Sequence, residues 1–144
     1  MDSLQRARRC AGIMLEQDLS TRSMGIEIEI PAPGEAVATM TVRPNMLNGF
    51  YVAHGGVVFT LADTAFAFAC NAYNDETLSV EADINWRRPC REGETLVAAA
   101  REDRREGRHG YYSVQVTNQH GELVAEFSGH SVSRGRPLFD ETDT

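Results

Sequence analysis

Asp63 stands in the middle of the run VVFTLADTAFAFACNAY, residues 57–73, which is apolar on nearly every face. Burying an unpaired carboxylate costs several kcal/mol, so a carboxylate here needs a partner or a task. At about 100° per residue, Asp63 shares a helical stripe with Gly56, Thr60, Ala67 and Cys70. Phe59 and Phe66 flank that stripe, and Val58, Leu61, Ala65 and Phe68 occupy the opposite face. One face is bulky, as a core face should be. The other is small and carries one charge framed by aromatics, so a partner helix or a ligand can come close. Taken by itself Asp63 leaves two readings open: a structural carboxylate, or a base or nucleophile.

His54-Gly55-Gly56 opens the same run. The first N–H groups of a helix have no internal acceptor, and with the helix dipole they favour developing negative charge. Glycine lets a ligand approach that backbone. Such donors together with a carboxylate are the parts that acyl transfer needs. Gly55 and Asp63 lie about two helical turns apart, too far for one acyl carbon to meet both. The spacing predicts that the donor of one subunit faces the Asp63 of another.

The elements that position these residues follow from periodicity. Residues 3–19 place Leu4, Ala7, Ala11, Met14, Leu15 and Leu19 near one helical face, with Ser3 as N-cap. Ile26, Ile28 and Ile30 alternate with glutamates, and Ala36, Ala38, Met40 and Val42 form a second alternating set, so the two read as a hairpin. Residues 43–56 read as a long loop whose apolar content argues against disorder. From 77 onward the period is two, with a strand that buries one face from Leu78 to Trp86 and three more near 94–104, 109–118 and 122–133. Gly107 and His120-Gly121 mark the turns between them. The order predicts one α+β domain over 1–136, its antiparallel sheet curved around the long helix, and a frayed acidic tail over 137–144.

A chain of 144 residues suits one domain. Its net charge of -7 is a poor match to nucleic acid. All 14 basic residues are arginine, which excludes lysine Schiff-base chemistry and a Walker-type lysine. Cys10, Cys70 and Cys90 form neither a disulfide framework nor a zinc pattern, and the four histidines show no metal-ligand spacing. A charged N-terminus and the lack of a long apolar run point to the cytoplasm, away from membrane. No G-x-S-x-G elbow occurs, and a buried Cys70 would be inert.

The stretch LNGFYVAHGGVVFTLADTAFAFACNAY, above all HGG followed by LADTAFAFACN, resembles the PaaI family of hotdog-fold thioesterases, linked to phenylacetate degradation. The similarity runs from the N-terminal helix to about Arg134. It implies the hotdog fold, an antiparallel sheet wrapped around a long central helix. It implies hydrolysis of aryl- or (hydroxy)phenylacetyl-CoA thioesters without metal or organic cofactor, in dimers with interface active sites that pair into tetramers. On this resemblance Asp63 is the essential acid and Gly55 the backbone donor to the carbonyl, with Asn48, His54 and Thr64 completing the catalytic set. Asp63 then either attacks the thioester carbonyl or activates a water.

Gly56, Phe59 and Phe66 are candidates for the substrate side, and Arg88, among the Arg87, Arg88 and Arg91 group, for the phosphates of coenzyme A. Solvated faces are the default reading of the arginine groups. Two other functions fit the same parts. A hotdog hydratase or dehydratase would pair His54 with Asp63 and leave the thioester intact. A non-catalytic acyl-CoA-binding protein would release no thiol, and it has no need to bury a carboxylate.

Overall fold

The computed structural model, which describes residues 1–143, has the expected order of elements with short additions. Helix α1 spans Ser3–Gln17 and buries Ala7, Cys10 and Ala11. Its cap is Asp2, one residue before the expected Ser3. The Asp2 carboxylate accepts from the Gln5 N–H at 2.8 Å and the Gln5 side chain accepts from the Asp2 N–H at 2.9 Å. This reciprocal pair satisfies two N–H groups at once, which a serine one position later would not. The helical face does not run on to Leu19. Asp18 breaks the chain direction and caps a separate five-residue helix, α2 (Leu19–Ser23), leaving Leu19 exposed.

Strands β1 (Glu27–Glu29) and β2 (Glu35–Thr41) form the expected hairpin, with Glu27 opposite Thr39. Helix α3 (Gly55–Cys70) follows, and then β3 (Thr77–Trp86), β4 (Thr95–Glu106), β5 (His109–Thr117) and β6 (Leu123–Ser133). The six strands make one antiparallel sheet in the order β1-β2-β4-β5-β6-β3. Because β2 lies near one edge and β3 forms the other, the segment joining them must cross the whole sheet. Helix α3 makes that crossing, which is why its run is apolar nearly all round. Leu61, Phe66 and Phe68 on α3 meet Met40, Leu96, Val114 and Val116 of the sheet in a single core.

Two further expectations fail. Strand β3 does not bury one face. It is an edge strand bonded only to β6, and Leu78, Val80 and Trp86 are about half exposed (49%, 57% and 54%). Its alternation is real, but α3 reaches β3 less than it reaches β2, β4, β5 or β6. The tail is not frayed either. The Asn74 carboxamide accepts from the Leu138 and Phe139 N–H groups at 2.9 and 3.0 Å and donates to the Phe139 carbonyl at 2.8 Å. Arg9 stacks on Phe139 and Arg6 pairs with Glu141 at 2.5 Å, so α1 supplies the cations that the acidic segment lacks. Thr144, the last residue of that expected tail, lies outside the described residues. Among the described residues no helix is long and apolar enough to cross a membrane.

Candidate active site

The start of α3 is held by the loop before it. A bridge pairs Leu47 with Ala53, the Asn48 N–H donates to the Val52 carbonyl at 2.8 Å, and the His54 N–H donates to Met46 at 3.0 Å. The Asn48 side-chain oxygen accepts from the Phe50 N–H at 2.9 Å and the Val52 N–H at 3.4 Å. Asn48 is therefore the knot of the loop, with its amide NH2 left for other partners. The loop tip exposes Phe50 and Tyr51, the latter at φ 62°.

His54 is the N-cap of α3, yet its side chain is exposed and makes no capping bond. Its carbonyl accepts from the Val57 and Val58 N–H groups at 2.9 and 3.3 Å. The N–H groups of Gly55 and Gly56 come before these, and among the described residues neither has an acceptor. A helix start normally closes such donors with a side chain. Here the sequence puts two glycines where the donors would be covered.

Asp63 lies on the partly open stripe of α3. Gly56 is exposed, Thr60, Asp63 and Ala67 are half-buried, and Cys70 is buried at the far end. Burial pushes the Asp63 carboxyl above its ordinary value, with no neighbouring charge opposing the shift. The Thr64 hydroxyl donates to the Thr60 carbonyl at 2.6 Å, so its proton is turned away from Asp63. Thr60 in turn donates to Gly56 at 2.8 Å. At a rise of about 1.5 Å per residue, Asp63 lies ~12 Å along the axis from Gly55. One chain does not bring the two together.

The structure separates the aromatic candidates. Phe59 is half-buried, edge-on to Phe127 at 5.5 Å, and stays at the margin of the stripe. Phe66 is fully buried, packed on Phe127 and Tyr112, and belongs to the core rather than to a substrate pocket. Its position one residue round from the stripe turns it under the helix. Arg88 forms an ion pair with Glu122 at 2.8 Å, and Arg87 one with Glu126 at 2.8 Å. Both pairs are open to water and hold their geometry weakly. Burial pushes the Cys70 thiol up to about 12, which keeps it inert as expected.

Sequence reasoning missed Trp86. In sequence it is only the end of an alternating strand, yet its indole N–H donates to the Gly55 carbonyl at 3.1 Å. Local spacing carries no signal for this, because the two residues are 31 apart in sequence. With Gly55, Val58, Arg87 and Arg88, Trp86 lines a cleft of about 340 Å³ beside the helix start.

The sequence model of the thioesterase superfamily matches residues 50–125. The chain is 40% identical over 136 residues to the acyl-coenzyme A thioesterase PaaI of Escherichia coli, covering 94% of this chain and 97% of that one. It is 30% identical over 98 residues to human acyl-coenzyme A thioesterase 13, covering 66% of this chain and 70% of that one. Among solved structures, it matches that of the E. coli PaaI protein from the phenylacetic acid degradation operon with a TM-score of 0.92. The match has 38% identity and covers 94% of this chain and 99% of that one.

Proposed function

The chain belongs to the thioesterase superfamily and is a PaaI-type acyl-CoA thioesterase with the hotdog fold, and we propose that its substrates are aryl- or (hydroxy)phenylacetyl-CoA thioesters. The observation that carries the reading is the pairing on α3 of an uncapped Gly55-Gly56 start with a desolvated carboxylate at Asp63. The aromatic preference draws on the operon named for the E. coli relative and on Phe59, whose ring meets Phe127 at the margin of the stripe.

In this mechanism the thioester oxygen sits against the Gly55 N–H, where charge developing on it is met by a fixed donor. Asp63 either takes a proton from the attacking water or attacks the carbonyl carbon itself. In the first route the water oxygen bonds to the carbonyl carbon as the C–S bond breaks, giving the acid and CoA thiol. In the second an Asp63–acyl anhydride forms as the C–S bond breaks, CoA leaves as thiol, and water then cleaves the anhydride to the acid and free Asp63. Asn48 holds the loop and offers its amide NH2. Exposed His54 stands at the mouth, and Gly56 lets the acyl group approach. Thr64 anchors the Asp63 turn through Thr60. Arg88 reaches the CoA phosphates by exchanging Glu122 for them.

The ~12 Å between Gly55 and Asp63 makes the site a shared one. Two copies joined along the free edge of β3 bring the half-exposed Leu78, Val80 and Trp86 into an interface. A ten-residue edge carrying apolar side chains is a ready template for such pairing. Two such dimers then form a tetramer. Residues 1–136 carry the site, and segment 137–143 stands apart from it. Three buried, unpaired cysteines fit a reducing cytoplasm.

The test is release of CoA thiol from phenylacetyl-, hydroxyphenylacetyl-, benzoyl- and fatty acyl-CoA by the native chain and by Asp63→Asn. The expected result is faster release from the aromatic thioesters and a loss of about 10²–10⁴-fold in the variant. Faster release from fatty acyl-CoA would overturn the substrate class. An altered acyl chain on an intact thioester would point to hydration, and binding without turnover to a non-catalytic role.

A further inference from the structure

We infer that Trp86 is a positioning residue for the thioester carbonyl: its indole N–H fixes the Gly55–Gly56 peptide, whose Gly56 N–H is a second donor to the thioester oxygen beside the Gly55 N–H. The inference rests on the proposed site at Gly55 and Asp63. Trp86 is the last residue of β3, paired with Ala125 of β6, so its backbone is set by the sheet and not by the helix it touches. Its Nε1–H donates to the Gly55 carbonyl at 3.1 Å. Its ring lies close enough to Gly55 that a Cβ there would come 3.2 Å from Cε2 and Cζ2. Glycine at 55 is thus what lets the indole approach. Gly56 has open space at the same position.

The Gly55 carbonyl and the Gly56 N–H are two ends of one planar peptide unit. Fixing the carbonyl fixes the direction of the N–H, which points away from it and out of the helix start. A helical carbonyl ordinarily accepts one N–H from four residues on, and the indole is a second donor. A second donor polarises the peptide and strengthens its own N–H as a donor. The next peptide is treated alike, because the Thr60 hydroxyl donates to the Gly56 carbonyl. The preceding one has its His54 carbonyl shared by Val57 and Val58. The carbonyls of residues 54 to 56 are therefore all restrained, and the N–H groups of Gly55 and Gly56 are left open in a preorganised array. Oxyanion donors work to the extent that they are aligned before the charge appears.

A purely packing role for the ring makes a different prediction. Trp86→Phe keeps an aromatic ring on Gly55 and removes only the N–H. The expected result is a fall in kcat on the order of tenfold, smaller than the 10²–10³ that follows loss of an oxyanion donor itself. KM, melting temperature and oligomeric state stay at the native values. Trp86 is the only tryptophan in the chain, so ultraviolet resonance Raman reads its N–H hydrogen bond without overlap. A bonded indole N–H is expected in the native protein. A free N–H in that spectrum overturns the inference whether or not the variant folds. So does kcat within twofold of native in Trp86→Phe while Asp63→Asn is inactive, a result that leaves the site itself standing. Full activity in Asp63→Asn would instead remove the site reading, and the role of Trp86 with it.

Discussion

The ring of Phe66 fills the space that a side chain at residue 129 would need. A Cβ on Gly129 would lie 2.8 Å from two carbons of that ring. Strand β6 thus carries a glycine where α3 presses one of its two buried phenylalanines into the sheet. Gly129→Ala forces the ring or the strand to move in a close-packed core, at a cost of about 1–3 kcal/mol. Denaturant unfolding measures it, and a variant as stable as the native chain would mean that the helix and sheet are looser than described.

Asp63 is held above its ordinary carboxylate value of 3.8 by burial. The folded state therefore keeps its proton at pH values where the unfolded chain has lost it, and stability falls as pH rises between the two values. Ionised Asp63 is a burden on the fold at neutral pH. Asp63→Asn is expected to melt at or above the native temperature at pH 7, with the advantage shrinking as pH falls toward 3.8. Thermal melts across pH check this. A variant markedly less stable at pH 7 would mean that Asp63 has a structural partner.

Asn74 fastens the C-terminal segment with three hydrogen bonds and does so from a left-handed backbone at φ 56°. Asn74→Ala loses the bonds and places a side chain ill suited to that conformation, a combined loss of about 1–3 kcal/mol. Hydrogen exchange at the Leu138 and Phe139 amides should quicken. Thiol release should not change, since this contact lies away from Gly55 and Asp63.

Val80 sits on the free edge and is 57% exposed. In a single chain Val80→Arg is a surface change, within about 0.5 kcal/mol of neutral. In a dimer joined along β3 it leaves a charge in an apolar contact, at roughly several kcal/mol. Sedimentation should show dissociation, and thiol release should fall in step with it. A stable monomer with full activity would end the shared-site model.

Much of this was legible in the chain itself. The even apolar cover of residues 57–73 marks a crossing helix, and period two marks the strands, because each element needs only its own side chains to declare its faces. Asp63 announces itself by chemistry alone, since a carboxylate in such a run is costly without a use. Other assignments depend on what lies opposite. Phe59 and Phe66 look alike in sequence, and only the position of Gly129 and Tyr112 under α3 puts one in the core and leaves the other at the margin. The exposure of β3 follows from strand order, which no local pattern encodes. The acidic tail reads as loose until Arg6, Arg9 and Asn74 are brought beside it.

The sequence by itself determined the elements, the family resemblance and the two groups that do acyl chemistry, because those depend on residue type and short-range spacing. Only the tertiary structure decided that Trp86 meets Gly55 and that β3 is an exposed edge beside a partly open stripe of α3. The first is a contact between residues 31 apart, and the second follows from strand order and from how α3 lies on the sheet.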